Sequence, residues 1–302
     1  MIKQLIQIQT DIHEHFSLTD PEVTWRETDI HYAPRFYFMP RGKYFDVVFY
    51  GDGVDYNEKA PDELFKKELT AYPIARVLDF LSQKEHAERI LSMRFCGPDE
   101  GYNGTKPWNF RRLLSHDAVF PNLKSFSVEL CDPGNHNFSI IENEAGSYEE
   151  NGIIADLISR MPNIERLEIP SAPNQQFFEI GKLPIQEMAV QAGYDHQNFI
   201  ENLASSENFP LLRMLDYSDY IHVILDYAGN ETQYSSYKKL FDSKMFSEHE
   251  HFLFKLRYSI LTQDQLSALM VTYKNGRKTK RSTQFLYIDV HLGRFVQPDI
   301  ML

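Results

Sequence analysis

Histidines separated by one residue are the first candidates for chemistry in this chain. His13 and His15 form one pair, and His249 and His251 form the other. On a β-strand this spacing puts two imidazole rings on one face, which would begin a metal site. A zinc site needs three or four converging ligands, and neither an H-E-x-x-H helix nor paired thiolates accompany these histidines. We therefore interpret them as solvated surface residues and predict no metal and no cofactor.

A glycine- and aspartate-rich segment at residues 51–56 is the second candidate. It begins like a phosphate-binding G-x-G-x-x-G loop, but Tyr56 stands where the third glycine is required. Its acidic residues suggest a calcium loop, yet they do not have the EF-hand spacing. A turn that closes the preceding strand explains the segment better. An enzyme hypothesis stays open, with His31, Asp52 and Asp55 as its candidate residues.

Charge argues against two classes of partner. The chain has 43 acidic and 31 basic residues and a formal net charge of −12, which repels nucleic acids and anionic membranes. One basic run follows a predicted helix, whose C-terminal dipole favours cations, although the run would also suit an acidic partner. We predict neither a nucleic-acid nor a membrane partner. The run consists of Lys274, Arg277, Lys278, Lys280 and Arg281.

Cysteine usage and the N-terminus indicate a cytoplasmic protein. Cys96 and Cys131 are too few for a secreted disulfide framework. Residues 1–9 interleave polar with apolar side chains and lack the unbroken apolar run of a signal peptide. No G-x-S-x-G, Walker or cysteine–histidine signature is present. We therefore interpret both cysteines as structural thiols rather than nucleophiles.

A short phrase occurs three times and predicts the scaffold that positions these residues. It spans 120–123, 161–164 and 209–212, with proline second in each copy. Because proline cannot continue a helix, we expect it to end the preceding helix and to begin a strand. The apolar residues that follow have the L-x-x-L-x-L spacing of a leucine-rich repeat. They are Leu123/Phe126/Val128, Ile164/Leu167/Ile169 and Leu212/Leu215/Tyr217.

Weaker copies extend this pattern along the chain. They start at residues 90, 185, 253 and 285, and a looser copy covers 44–49. Apolar residues at helical spacing precede several strands, as at Ile74, Val77, Leu78 and Leu81. Thr262 with Gln265 forms a capping box that predicts the start of the last helix. Alternating helices and strands predict an α/β fold with a parallel sheet, because each helix returns the chain to the same edge.

The motif resembles that of bacterial cytoplasmic leucine-rich-repeat proteins of the ribonuclease-inhibitor-like class. The resemblance covers about residues 44–293 and rests on the three phrases and their weaker copies. It implies a curved solenoid with a parallel sheet on the concave face and helices on the convex face. It also implies protein binding and supplies no catalytic residues. Of the usual asparagine ladder, only an accepted substitute, Cys131, is present, so we expect irregular repeats.

Domain boundaries follow from the repeat. Residues 1–43 do not fit it, and solenoids need a terminal unit over their last apolar layer. We predict a capping segment at 1–43 and an irregular solenoid at 44–302, which together form one domain. Residues 132–150 contain turn formers and several glutamates and predict an exposed loop.

The register names the residues of the predicted concave face. Its middle column would run Arg94, Ser127, Glu168, Ala189, Asp216, Arg257 and Asp289, with an acidic centre suited to a basic partner surface. The alternative is that neighbouring charges only satisfy one another across strands, as Arg166 and Glu187 would. The predicted partner-binding residues are Arg94, Ser127, Arg166, Glu168, Glu187, Met214, Asp216, Lys255, Arg257, Tyr287 and Asp289.

Three functional hypotheses follow. The leading one is a non-enzymatic protein–protein interaction module, for example an inhibitor or immunity-type protein that covers another protein's active site. A negative net charge would speed its encounter with a basic target. The second is an enzyme with a pocket at the strand ends or beside the N-terminal segment. The third is self-assembly through an uncovered solenoid end after Phe295. The sequence leaves the partner and the oligomeric state open.

Overall fold

The elements alternate between helix and strand along most of the chain. The computed structural model describes residues 1–18, 34–53, 73–99, 104–132, 135–144, 146–221, 231–248, 252–276, 284–289 and 294–296. The strands are β1 (Arg35–Arg41), β2 (Tyr44–Tyr50), β3 (Ile90–Cys96), β4 (Gly104–Trp108), β5 (Ser125–Val128), β6 (Asn137–Ile141), β7 (Arg166–Ile169), β8 (Glu187–Gly193), β9 (Met214–Ile221), β10 (Leu253–Arg257), β11 (Gln284–Asp289) and β12 (Arg294–Val296). The helices are α1 (Ile2–Leu18), α2 (Pro73–Leu81), α3 (Lys84–Ala87), α4 (Arg111–Leu114), α5 (Ile153–Ser159), α6 (Phe199–Ser205), α7 (Tyr234–Asp242), α8 (Lys244–Glu248) and α9 (Gln263–Gly276), with a 3₁₀ helix at Gln175–Glu179.

Ten strands form one sheet in the order β1-β2-β3-β5-β7-β8-β9-β10-β11-β12. All neighbours from β2 to β11 are parallel, and the two outermost pairs are antiparallel. The strands of this sheet follow chain order without a reversal. The predicted α/β fold with a mostly parallel sheet is therefore confirmed. A second, two-stranded parallel sheet of β4 and β6 was not predicted.

The helices cover one face of the large sheet. In β2 and β10 buried side chains alternate with half-exposed ones. The buried set, such as Phe126 and Leu167, joins one hydrophobic cluster with helix residues such as Leu78 and Leu157. A parallel sheet covered on both faces would instead have continuous apolar strands. The opposite side, here named the open face, consequently keeps polar side chains.

The repeated phrases are β-turns rather than helix ends. Helices α4, α5 and α6 end at Leu114, Ser159 and Ser205, before the phrases begin. The expectation that proline ends each helix is therefore wrong for α4 and α6, whereas the cap of α5, Arg160, directly precedes the second phrase. Proline takes the second position of a turn, where its fixed φ is favourable. Each turn is closed by a backbone hydrogen bond: Leu123 N to Phe120 O at 3.2 Å, Ile164 N to Met161 O at 3.1 Å, and Leu212 N to Phe209 O at 3.2 Å.

Turn asparagines connect successive repeats where the parallel strands begin, an edge we name the amino edge. Asn122 Nδ2 donates to Glu88 O at 2.8 Å, and Asn163 Nδ2 donates to Pro121 O at 2.9 Å. Each amide satisfies a carbonyl of the preceding unit. Leu211 holds the equivalent position in the third phrase and is 53% exposed. The asparagines of the first two phrases therefore form a short asparagine ladder of their own at the start of the strands. It is distinct from the ladder that the leucine-rich-repeat resemblance implies.

The capping box of the last helix is confirmed. Gln265 N donates to Thr262 Oγ1 at 3.3 Å, and Thr262 N donates to Gln265 Oε1 at 2.9 Å. These reciprocal bonds satisfy two backbone donors at the start of α9. Lys274 lies in its last turn, and the rest of the basic run lies outside the described residues. No described helix combines the length and the apolar character needed to cross a bilayer.

The N-terminal segment lies at one edge of the sheet. Helix α1 buries Leu5, Ile8 and Ile12 in the main hydrophobic cluster. Strand β1 pairs with β2 as an antiparallel hairpin, which crosses the predicted boundary at residues 43 and 44. Both elements thus belong to the same core as the parallel strands, and the capping role stays a prediction.

The end of the sheet opposite the amino edge, where the parallel strands end, is named the carboxyl edge. Its structure differs from the one predicted from the sequence. Residues 132–150 include strand β6, and both Glu142 and Glu150 are buried, so the expected exposed loop is wrong there. It is confirmed for Glu144 and Glu149, which are exposed. The 51–56 segment is described as far as Gly53, where a Cβ atom would lie 2.4 Å from Pro107 O. Glycine is needed there for close packing against β4, so a turn remains the better interpretation.

Candidate protein-binding face

The register brings together most of the predicted partner-binding residues on the open face. Arg94 pairs with Ser127, Ser127 with Glu168, Glu168 with Ala189, and Ala189 with Asp216. The predicted order of the middle column is thus confirmed over five strands. It holds because the buried apolar residues of each repeat determine which residues alternate outward.

Strands β10 and β11 have a register that differs from the predicted one. Lys255, not Arg257, pairs with Asp216, so the predicted column is wrong by two residues in β10. In β11, Leu286 pairs with Lys255, and Tyr287 pairs with the buried Leu256. A one-residue shift exchanges the two faces, so Tyr287 and Asp289 take the register of the core rather than of the open face. The error in β11 arose because its sequence offers two apolar frames, Phe285 with Tyr287 or Leu286 with Ile288, and pairing with β10 selected the first.

Asp216 is a buried charge on the open face. Its side chain is 7% exposed, and its two oxygens accept bonds from Arg257 Nε and Nη2, each at 2.6 Å. Lys255 Nζ lies 3.7 Å from Oδ2. Burial lowers the pKa of Arg257, but the hydrogen bonds and charge of Asp216 outweigh it, and the pKa is raised. The negative charge of Asp216 is therefore balanced by a positive charge within the protein.

Glu168 is a half-buried carboxylate at the centre of the face. Burial raises its pKa, the charge of Arg94 opposes the shift, and the charge of Asp216 adds to it. The small side chain of Ala189 lies between Glu168 and Asp216 in the register. A small side chain with a carboxylate on each side in the register thus marks the centre of the open face.

A groove of about 330 Å³ lies on the amino edge of the face. Glu187 binds Arg166 at 3.0 Å and Arg213 at 2.9 Å, and Lys124 binds Glu165 at 2.7 Å. The alternative that neighbouring charges satisfy one another across strands is thus confirmed for Arg166 and Glu187. Since Arg166 is 66% exposed and Arg213 57% exposed, both guanidinium groups remain accessible from the groove.

The chain covers the carboxyl end of the same face. Cys131 N donates to Gln191 Oε1 at 2.9 Å, and Tyr258 OH donates to Asp132 Oδ1 at 3.4 Å. The loop after β5 therefore crosses towards β8 and β10. Gln191 and Ser218 are buried although their register belongs to the open face. Of the other predicted residues, Ser127 is buried and Met214 is half-buried.

Neither cysteine has the environment of a nucleophile. Burial raises the pKa of Cys131 to about 11, and burial also raises that of Cys96. The Cys131 thiol donates to Asn137 O at 3.3 Å and accepts from Ser139 N at 2.7 Å. Cys131 thereby joins the loop after β5 to β6.

The other candidates for chemistry do not come together within the described parts of the chain. His13 and His15 lie on α1, and residues two apart on a helix do not share a face. Asp52 is exposed, whereas His31, Asp55, His249 and His251 lie outside the described residues. Among the residues that the structure describes, no three histidine, cysteine, aspartate or glutamate side chains are grouped to hold a metal ion.

Comparison with protein-family models, with curated proteins and with solved structures found no match to this chain.

Proposed function

We propose that this protein is a non-enzymatic binding module that docks a protein partner on its open face, with an irregular leucine-rich-repeat solenoid as its scaffold. The coverage of the sheet carries the proposal: parallel strands follow chain order, helices cover one face, and the other face keeps polar side chains that are accessible towards the amino edge. In repeat proteins each unit adds a strip to one continuous binding surface. A broad open face suits a protein better than a small molecule, which needs an enclosing cavity.

Charge and shape favour a partner with basic residues at the middle of its contact surface. Asp216 is already bound by Arg257, so Glu168 is the central carboxylate that such residues would meet. The small side chain of Ala189 would leave room beside Glu168 for a side chain of the partner. The net charge of −12 would speed encounter with a basic target. An inhibitor or immunity-type protein that covers an active site is one version of this function.

Both cysteines are free thiols. Free thiols suit a reducing compartment, and we accordingly propose a cytoplasmic location for the protein.

The test is affinity capture from the native cell with a blocked face. Ala189→Trp places a bulky side chain at the centre of the open face without altering a core side chain, since Ala189 is only half-buried there. Lys239→Trp, on the exposed side of α7, is the matched control. We expect wild type and Lys239→Trp to recover the same protein, and Ala189→Trp to recover at least about tenfold less.

Equal recovery by Ala189→Trp and wild type would exclude the open face as the docking surface. Recovery of no protein by the wild type, beyond what the affinity resin alone recovers, would contradict the proposed function itself. Circular dichroism of the three proteins checks that each is folded.

A further inference from the structure

A cavity of about 200 Å³ lies beyond the carboxyl ends of β7 and β8, outside the open face. We name it the carboxyl-edge pocket. Three stretches of chain line it: residues 147–151, the pair Ser171 and Ala172 after β7, and residues after the bulge of β8. Ligand pockets for drug-sized molecules have volumes of roughly 300–1,000 Å³. This pocket is smaller and suits a single side chain.

The wall of the pocket is held by buried carboxylates. Glu142 Oε2 accepts from Gly146 N at 3.0 Å and from Tyr148 N at 3.4 Å. Glu150 accepts from Gly152 N at 3.1 Å and from Asn174 N at 2.9 Å. These bonds fix the loop backbone before any ligand arrives. A preformed pocket loses less conformational entropy on binding than a loop that must first order.

Two tyrosines and three carboxylates give the pocket its chemistry. The rings of Tyr148 and Tyr194 lie 5.9 Å apart at 58°, and Tyr148 is 42% exposed. Glu149, Glu150 and Asp195 also line the cavity, and none of its described lining residues is basic. Tyrosine faces and carboxylates both attract cations, the rings through their quadrupole.

An organic cation fits this lining best. The described residues include no group of three metal-ligating side chains, whereas aromatic faces attract ammonium and guanidinium groups. A planar guanidinium can stack on a tyrosine ring while it donates to a carboxylate such as Asp195. Asp195 Oδ1 accepts from Gln197 N at 2.6 Å, which orients the carboxylate at the pocket wall.

We propose that the carboxyl-edge pocket binds an arginine or lysine side chain of the protein partner. The proposal rests on the proposed function and extends it, because it adds a second anchor point beyond the open face. Such an anchor would fix the orientation of a basic partner on the sheet, since a single charged side chain in a preformed pocket contributes strongly to an interface.

The experiment uses a small probe on the full chain. Nα-acetyl-arginine amide is titrated into the labelled protein and followed by NMR, and Nα-acetyl-citrulline amide, nearly identical in shape but uncharged, is the control. We expect saturable shifts at residues 147–151 and 194–197 with the arginine probe and at least about fivefold weaker binding of the citrulline probe.

Pocket variants test which groups bind the probe. Asp195→Asn keeps the Oδ1 acceptor and removes the charge, and Tyr148→Ser removes one ring. We expect each variant to weaken probe binding about fivefold, whereas Asp117→Asn, a fully exposed aspartate elsewhere, leaves it unchanged. Equal binding of both probes, shifts spread evenly over the surface, or wild-type affinity in Asp195→Asn would overturn the proposal. The probe needs no partner, so this result is independent of the capture experiment.

Discussion

The two edges of the parallel sheet are built by different physical means. At the amino edge, proline turns repeat, asparagine amides connect neighbouring units, and ion pairs such as Arg166 with Glu187 are exposed. At the carboxyl edge, buried charges hold irregular loops. Lys106, for example, is 9% exposed and binds Glu129 Oε1 at 2.5 Å. The amino edge is thus stabilised by weak contacts that recur from turn to turn, and the carboxyl edge by a few buried charges that each occur once.

The difference explains where each proposed site lies. A regular edge presents the same shape at every repeat and makes a broad surface, which suits the open face. An irregular edge encloses particular side chains and forms a pocket. Four of the five non-glycine residues with positive φ in the described parts of the chain lie at or beside the carboxyl-edge pocket: Tyr148, Asn151, Gln197 and Asn198. Unusual backbone of this kind persists only where surrounding contacts hold it.

The largest change in stability is expected from the ionisation of Asp219, near the carboxyl edge. It is 2% exposed and accepts from Thr232 Oγ1 at 2.8 Å and from Tyr237 OH at 2.9 Å. Burial raises its pKa to about 7, whereas an unfolded aspartate titrates near 3.9. Between about pH 4 and about pH 7 the folded state therefore keeps a proton that the unfolded state has lost. The free energy of unfolding should fall by about 4 kcal/mol as pH rises through this window.

Asp219→Asn should remove this dependence. Urea denaturation of the variant and the wild type across the window gives a difference curve in which titration of the other groups cancels. Asp242→Asn, exposed on α7, should follow the wild type. Parallel curves for Asp219→Asn and wild type would show that Asp219 is ionised in the folded protein throughout the window.

Glu150→Gln should give the next largest effect. Glu150 is buried and accepts bonds from three backbone N–H groups, of Gly152, Ile154 and Asn174. The amide of glutamine would turn an N–H₂ group towards these donors, which should lower the free energy of unfolding by about 3 kcal/mol. Urea denaturation measures the change. Glu149→Gln, at the exposed neighbouring position, should lower the free energy of unfolding by less than about 0.5 kcal/mol. Equal losses in the two variants would contradict the contrast between the buried and the exposed glutamate.

Substitution of two arginines on the open face compares the two edges directly. Arg257 lies towards the carboxyl edge and binds Asp216, whose side chain is 7% exposed, so Arg257→Gln should cost about 2 kcal/mol. Arg166 lies at the amino edge and is 66% exposed, so Arg166→Gln should cost less than about 0.5 kcal/mol. Chemical denaturation at low and high salt measures both costs. Similar values for the two variants would show that burial does not distinguish these ion pairs.

The asparagine ladder should give the smallest measurable effect. Asn163→Ala removes the bond from Nδ2 to Pro121 O and should lower the free energy of unfolding by about 1 kcal/mol. Leu211→Ala changes the equivalent turn position, which is exposed and carries no amide, and serves as the control. A loss in Leu211→Ala as large as in Asn163→Ala would mean that the turn itself, rather than the ladder bond, is being measured.

Much of the fold was predictable because its signals are local. The apolar spacing of Ile74 to Leu81 predicted α2, and the alternation after each proline phrase predicted strands whose inner residues are all buried. Chain order and the open face followed from those elements. The same reasoning located Arg94, Glu168 and Asp216 on one face, since a strand's two-residue period determines its outward residues.

The carboxyl edge could not be predicted in this way. Glu142 and Glu150 were expected in an exposed loop, and only the backbone N–H groups brought to them by the fold explain their burial. No sequence signal indicated that Tyr148 and Tyr194, far apart in the chain, would line one pocket.

The amino-acid sequence by itself thus determined most strands of the large sheet, their parallel order and the middle outward residues of β3, β5, β7, β8 and β9. The tertiary structure alone decided the register of β10 and β11 and the charges buried at the carboxyl edge. The physical reason is that periodicity is encoded in neighbouring residues, whereas the choice between two apolar frames, and the burial of a charge, depends on contacts between distant ones.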